Sequence, residues 1–321
     1  MSDGKEQSGR QPNLRSLEDQ DMADRTYYRS QYVVVPVVRS FRHTVYGVKT
    51  HFIEGGNGDP VILLHGGLAG MAGETTWSDT IPALARHFRT IALDMISYGY
   101  SDKPRIDYSF QTLVEHLAGF IDVMGFEKVN LVGQSQGAYI AAKYTADYPE
   151  RVNRLAVINT GTLSTAMGID PEPSPQEGGQ NDGSKEALRR SLEFRMYRKE
   201  KITDDMLETK LALAAQPGMK EARSSMRAYR IGLENDPNQA QVFSLKTRLP
   251  HITVPMCIIW GVEDRSAPVR LGRALRELFP QAEYHEVQEA GHHSFLDQPE
   301  VVGRAHLLPG GACIARAVDR A

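Results

Sequence analysis

Short apolar runs recur along the chain, each closed by glycine or a polar residue: "PVILLHGG" at 60–67, "RTIALDM" at 89–95, "KVNLVG" at 128–133, "RLAVINT" at 154–160 and "VPMCIIWG" at 254–261. Runs that are apolar throughout, rather than alternating, belong to strands buried on both faces. Stretches with helical spacing stand between them, at 80–87, Phe110–Met124, Ala138–Tyr148 (stopped by Pro149) and Pro268–Phe279. Strand–helix–strand alternation predicts a parallel sheet covered by helices on both faces. Two earlier runs, Tyr32–Val38 and Thr44–Ile53, are β-rich and bounded by turn residues, which predicts antiparallel strands. "AEYHEVQEAGHH" reads as a last strand running into a loop.

The alternation breaks once. Residues 162–184 include "PEPSPQEGGQNDGS", rich in Pro, Gly and polar residues, and read as a linker or mobile loop. Lys185–Gln241 then carries helical spacing without strands. The expected organisation is a polar N-terminal arm at 1–31, a first part of the core at 32–164, a linker and helical insertion at 165–245, a second part of the core at 246–300 and a tail at 301–321. The tail carries Pro309-Gly310-Gly311 where a last helix belongs, so that helix is expected to be short. The insertion's Phe194, Met196, Tyr197, Leu211 and Tyr229 read first as its own core and second as pocket lining.

A chain of 321 residues buries a sizeable core. A formal net charge of −3 gives no basic balance that would point to nucleic acid. No run reaches the roughly 18 apolar residues of a membrane span, and the polar start "MSDGKEQSGRQPNLRSLEDQDMADR" has no apolar signal core. The two cysteines, Cys257 and Cys313, make no metal cluster or disulfide framework. Cys257, within an apolar run, is expected to be a buried free thiol, and the cytoplasm is the expected location.

"VNLVGQSQGAYIAAKY" holds Ser135 between Gly133 and Gly137, directly after an apolar strand and before a helix. That is the setting of a nucleophile elbow, in which a sharp turn presents the serine at the helix N-terminus. A serine hydroxyl needs a base, and the base needs an orienting carboxylate. Candidates follow in chain order. Asp264 lies in "IIWGVEDRSAPV", just past a strand, and is preferred to its neighbour Glu263. His292 lies in "EAGHHSF", directly after a glycine, and is preferred to His293. His87, His116 and His285 read as surface or packed residues. Two backbone N–H groups must face the developing oxyanion. Gln136, after the nucleophile, and Gly67, in the loop after "VILLHGG", are the candidates.

Together "LHGG", "WSDTIPALARHFRTIALDMISYGYSDKP", "VNLVGQSQGAYIAAKYTADYPERVNRLAVIN", "IIWGVEDRSAPV" and "EAGHHSFLDQPE" resemble the α/β-hydrolase superfamily over roughly residues 44–300. The resemblance implies an α/β-hydrolase fold: a mostly parallel central sheet with an inserted helical cap, or lid. Serine at the elbow sets the chain apart from dehalogenases and epoxide hydrolases of this fold, which use aspartate there. Within the superfamily it looks most like the meta-cleavage-product hydrolases, on "HGG", "TIPALARHFR", "SDKP", "ITDDMLETK" and "WGVEDR". The implied reaction is hydrolysis of a carbon–carbon bond in a 2-hydroxy-6-oxo-hexa-2,4-dienoate. It begins with a dienol-to-ketone tautomerisation and proceeds through Ser135, His292 and the oxyanion hole.

The resemblance also implies that substrate meets Gly66, Gln134, Lys210 and His293. Here the chain departs from the pattern. Gln134 and Gln136 replace Asn and Met, Ala138 replaces Gly, His293 replaces Trp, Lys210 stands where a cap arginine binds a carboxylate, and Ile96-Ser97 replaces a Pro-Gly pair. A carboxylesterase or lactonase with the same triad is the alternative. A slow small-molecule receptor ranks lower, and cofactor-free haloperoxidase-like chemistry lower again. The expectation is a small-molecule substrate with no cofactor, no metal, no nucleic acid and no membrane span; a homo-oligomer is left open.

Overall fold

The computed structural model describes residues 28–39, 44–169 and 182–306. The expected linker falls largely, and the arm and tail mostly, outside these residues. The sheet has eight strands in the order β1-β2-β4-β3-β5-β6-β7-β8. They are β1 Tyr28–Arg39, β2 Thr44–Gly55, β3 Pro60–Leu64, β4 Arg89–Leu93, β5 Val129–Gln134, β6 Val152–Ile158, β7 Met256–Gly261 and β8 Glu283–Val287. β1 pairs antiparallel with β2, and β2 antiparallel with β4; every later pairing is parallel. The mostly parallel sheet expected from the apolar runs is observed, in the α/β-hydrolase arrangement that the resemblance implied. β1 begins inside the range expected for the arm.

The central strands are buried on both faces because each feeds two cores. Successive side chains of a strand point to opposite sides. Ile62, Leu64, Ile91, Leu131, Leu155 and Ile258 join one cluster. Val61, Leu63, Ala92, Val132, Ala156 and Ile259 join the other. The first cluster is covered by α3 (Phe110–Val123), α4 (Gln136–Asp147) and α10 (Val269–Leu278). The second lies under α1 (Gly73–Trp77), α2 (Ile81–Leu84) and α11 (Ser294–Asp297), with Trp77 and Phe295 packed at its centre. α3 starts where Ser109 accepts a hydrogen bond from the Thr112 N–H, and α10 starts after Pro268. After α11, a π-helical turn spans Val301–His306.

Between β6 and β7 every described element is helical: α5 (Gly161–Ala166), α6 (Lys185–Arg195), α7 (Asp204–Ala214), α8 (Met219–Asn235) and α9 (Pro237–Phe243), with short 3-10 turns. α5 occupies residues expected to be linker; Thr160 caps it by accepting from the Leu163 N–H. Cys257 corrects another expectation. It is disulfide-bonded rather than a free thiol. Among the described residues no helix is long and apolar enough to cross a membrane, and no cluster of His, Cys, Asp and Glu could hold a metal ion.

Candidate active site

The strand order creates the site. From β3 the chain steps outward to β4, then returns to place β5 on the other side of β3. Connections therefore leave in opposite directions from the carboxyl ends of β3 and β5. Such a switch point opens a crevice where ligands of open α/β sheets bind. Gly66-Gly67 follow β3 and Ser135-Gln136 follow β5, so both segments meet there.

Ser135 has φ 53° and ψ −117°, a backbone conformation an L-residue rarely adopts. The two flanking glycines explain how the turn is held. A Cβ on Gly133 would run into the Gly137 carbonyl and the backbone of Ala138; a Cβ on Gly137 would run into the Leu64 and His65 carbonyls. The motif therefore needs glycine twice, once to let the helix fold back on its strand and once to let it press on β3. Hydrogen bonds fix the strained residue: Ser135 N–H donates to Ile158 O at 2.9 Å, and Thr160 Oγ1 donates to Ser135 O at 2.8 Å.

Asp264, past β7, is fully engaged. Its Oδ2 accepts from His292 Nδ1 and from Asn159 Nδ2, each at 2.8 Å. Its Oδ1 accepts from the Ser266 and Ala267 N–H groups, each at 2.8 Å. With Nδ1–H committed to the carboxylate, His292 presents Nε2 as the proton acceptor. Ser135 and His292 line the same cavity, and no direct hydrogen bond joins their side chains. Glu263, the competing acid, instead accepts from the Ala290 N–H at 2.9 Å and so braces the histidine loop. His116 is a packed residue, as expected. Its Nδ1 accepts from Ile96 N–H, its ring bonds Thr50 Oγ1, and burial lowers its pKa to about 3.

Asn159 was not foreseen. It ends β6 with φ 45°, in the left-handed region that asparagine tolerates. While its amide donates to Asp264, its Oδ1 accepts from Ser294 Oγ at 2.7 Å and from Gly261 N–H at 3.4 Å. One side chain thus ties the carboxyl ends of β6 and β7 to the helix after His292. A polar residue closing an apolar strand was the only signal in "RLAVINT".

The cavity, of about 300 Å³, is lined among others by Gly67, Ser135, Gln136 and His292. As the first residue of α4, Gln136 has a backbone N–H with no acceptor within the helix. Behind Gly67, His65 fixes the turn. Its Nε2 accepts from Met95 N–H and its Nδ1 therefore donates to Gly66 O at 2.8 Å; burial lowers its pKa. The Gln136 side chain, part of the lining, donates to Tyr98 Oη at 3.2 Å and accepts from Arg230 at 2.8 Å.

The residues expected to meet substrate are placed differently. Gly66 packs against the Gln134 side chain. Gln134 is buried, donates to His292 O at 3.1 Å, and leaves its Oε1 without a partner. His293 is buried and stacked near Phe295, its pKa held well below the ordinary value, first by burial. Lys210 is 1% exposed, points its Nζ at Met71 Sδ at 3.5 Å, and has its pKa lowered to about 8 by burial. None of these four is among the residues that line the cavity. In their place stand Ser97, Arg195 and the α8 residues Ala222, Arg223, Met226, Arg227 and Arg230. Of the insertion's expected apolar residues, Met196 joins the core under α1 and Tyr229 packs on the other core. Ser97, among the lining residues, holds φ 75°.

The helical insertion grips the histidine loop. Arg195 O, at the end of α6, accepts from the His292 N–H at 2.6 Å. Asp297 accepts from the Tyr197, Arg198 and Gly291 N–H groups at 3.0, 2.9 and 2.8 Å.

A 2-hydroxy-6-oxo-6-(2'-aminophenyl)hexa-2,4-dienoic acid hydrolase of Metapseudomonas resinovorans is 29% identical over 262 residues, covering 81% of this chain and 87% of the relative. A 2-hydroxy-6-oxo-2,4-heptadienoate hydrolase of Pseudomonas putida is 28% identical over 258 residues, covering 78% and 89%. The solved meta-cleavage product hydrolase of Pseudomonas fluorescens IP01 is 29% identical, with a TM-score of 0.65 over 80% of this chain and 92% of that one. A serine hydrolase involved in carbazole degradation is 26% identical, with a TM-score of 0.70 over 88% and 98%. The family pattern described as the alpha/beta hydrolase fold matches residues 59–299, and the chain belongs to that family.

Proposed function

We propose that this chain is a serine hydrolase that cleaves a carbon–carbon bond in a 2-hydroxy-6-oxo-hexa-2,4-dienoate-like substrate. The observation that carries the reading is the Ser135/His292/Asp264 constellation at the sheet's switch point, in a chain whose relatives are named hydrolases of such dienoates. In this reading the dienol first becomes a ketone, which makes the bond beside the 6-oxo group breakable. His292 Nε2 takes the Ser135 proton as Oγ adds to the 6-oxo carbon. The N–H groups of Gly67 and Gln136 hold the resulting oxyanion. Collapse breaks the carbon–carbon bond, and the electron pair leaves as a dienolate that is protonated on carbon. Water, deprotonated by His292, then releases the acyl group as a carboxylate. Across both steps one water is consumed, its hydroxyl ending on the acyl carbon.

The test offers a yellow 2-hydroxy-6-oxo-dienoate and a p-nitrophenyl ester to the wild type and to Ser135→Ala. Bleaching of the dienoate should fall by about 10⁴-fold or more in the variant. Fast ester turnover with no bleaching would instead establish the carboxylesterase or lactonase alternative. Turnover that survives Ser135→Ala would remove the serine from its role.

A further inference from the structure

α8 carries Arg223, Arg227 and Arg230 on one face, at the spacing i, i+4, i+7 that lines residues up along a helix. The ordinary fate of such a face is solvation. Here the same face, with Ala222 and Met226 interleaved, forms the wall of the cavity that holds Ser135 and His292. Arg195 adds a further cation, and no aspartate or glutamate is among the cavity's lining residues. Among the described residues, neither Arg223 nor Arg227 makes a hydrogen bond or ion pair. Arg230 is oriented: it donates to Gln136 Oε1 at 2.8 Å and lies over the Phe110 ring at 4.9 Å. One guanidinium is thereby tethered to the residue beside the nucleophile while two stand unneutralised along the same wall. A guanidinium fork pairs with a carboxylate through two parallel bonds. One carboxylate therefore leaves most of this wall unmatched.

We propose that Arg223, Arg227 and Arg230 form an anion-binding wall facing Ser135, and that the natural substrate is a dianion whose acyl side carries a second carboxylate. The proposal rests on the dienoate reading for the first carboxylate only. The second follows from the excess of cations over acids. It also accounts for the elbow's Gln136, whose amide oxygen holds Arg230 where a methionine could not accept a hydrogen bond.

The experiment measures kcat/KM for two substrate pairs: a dienoate with a neutral acyl side against one with a terminal carboxylate there, and p-nitrophenyl butyrate against p-nitrophenyl hemiglutarate. Wild type should prefer the anionic member by about tenfold or more, as charge-assisted pairs do. In the Arg223→Gln/Arg227→Gln double variant that ratio should collapse toward one, chiefly through KM, with Arg227→Lys in between. Isothermal titration of glutarate and butyrate into Ser135→Ala reads the same wall without turnover; glutarate should bind more tightly, and less so as salt rises. Equal treatment of both members by wild type, or a preference that persists in the double variant, overturns the proposal. If neither dienoate is cleaved but hemiglutarate is preferred, the carbon–carbon reading fails and the anion wall stands.

Discussion

The floor and the roof of one cavity are built on opposite plans. The floor comes from the carboxyl ends of β5, β6, β7 and β8, and its working groups are pinned many times over. Asp264 accepts four hydrogen bonds, from His292, Asn159 and two backbone amides. The roof comes from α8 and offers exposed arginines, of which Arg230 alone is fastened to the floor, through Gln136. A network with every polar atom satisfied specifies one geometry. A row of long side chains adapts its reach to what it meets. The contrast separates where chemistry must be exact in position from where recognition may differ between relatives without disturbing it.

Four changes test that contrast, beginning with the largest effect. Asp264→Asn keeps the oxygen that the Ser266 and Ala267 amides need but turns an NH₂ toward both Asn159 and His292 Nδ1. The histidine is forced into the other tautomer, and kcat should fall by about 10³–10⁴-fold. Stopped-flow turnover beside a thermal melt distinguishes this from unfolding; a tenfold loss or less would show that the floor is looser than described.

Lys210 supplies a test of stability. Its pKa, lowered from 10.5 to about 8 by burial, means the unfolded chain binds more protons between those values, so stability rises with pH across that window. Below about pH 8 the full penalty is present, about 3 kcal/mol at roughly 1.4 kcal/mol per unit. Lys210→Met should therefore stabilise the protein by up to about 3 kcal/mol at pH 7, a gain that fades toward pH 10.5 in urea titrations. Destabilisation at pH 7 would mean that the buried ammonium has a partner worth more than its burial costs.

Asn159→Ala removes one hydrogen bond each from Asp264, Ser294 and the Gly261 amide. It should cost about 2 kcal/mol of stability and lower kcat several-fold while leaving KM nearly unchanged. A KM effect alone would move Asn159 from the floor to the substrate. The smallest expected effect is at Ser97, where φ is 75°. Ser97→Gly relieves a left-handed conformation that disfavours side chains by about 1 kcal/mol, and the melting temperature should rise by a few degrees.

The same division decided what the sequence disclosed. The apolar runs, the elbow and the order Ser135, Asp264, His292 are local patterns, because a strand, a tight turn and a helix start are each dictated by neighbours in the chain. Asn159 escaped notice because its partners lie more than a hundred residues away, at Asp264 and Ser294. Lys210, which the resemblance implied would meet substrate, is buried for a reason just as distant in sequence: α7 packs it against Met71 and Gly70. The α8 arginines look like any solvated helix face until the fold sets them opposite Ser135.

The hold of Arg195 O on the His292 amide, and of Asp297 on three amides spanning both segments, bears on how such proteins diversify. Grafting a foreign helical segment between β6 and β7 would exchange more than the walls of a pocket. The donor would have to bring a free carbonyl at the end of its first long helix and two adjacent amides within reach of Asp297, or the histidine would lose its seat. Lineages that trade this segment should therefore trade the Gly291–Asp297 stretch with it, as one heritable block split across the sequence.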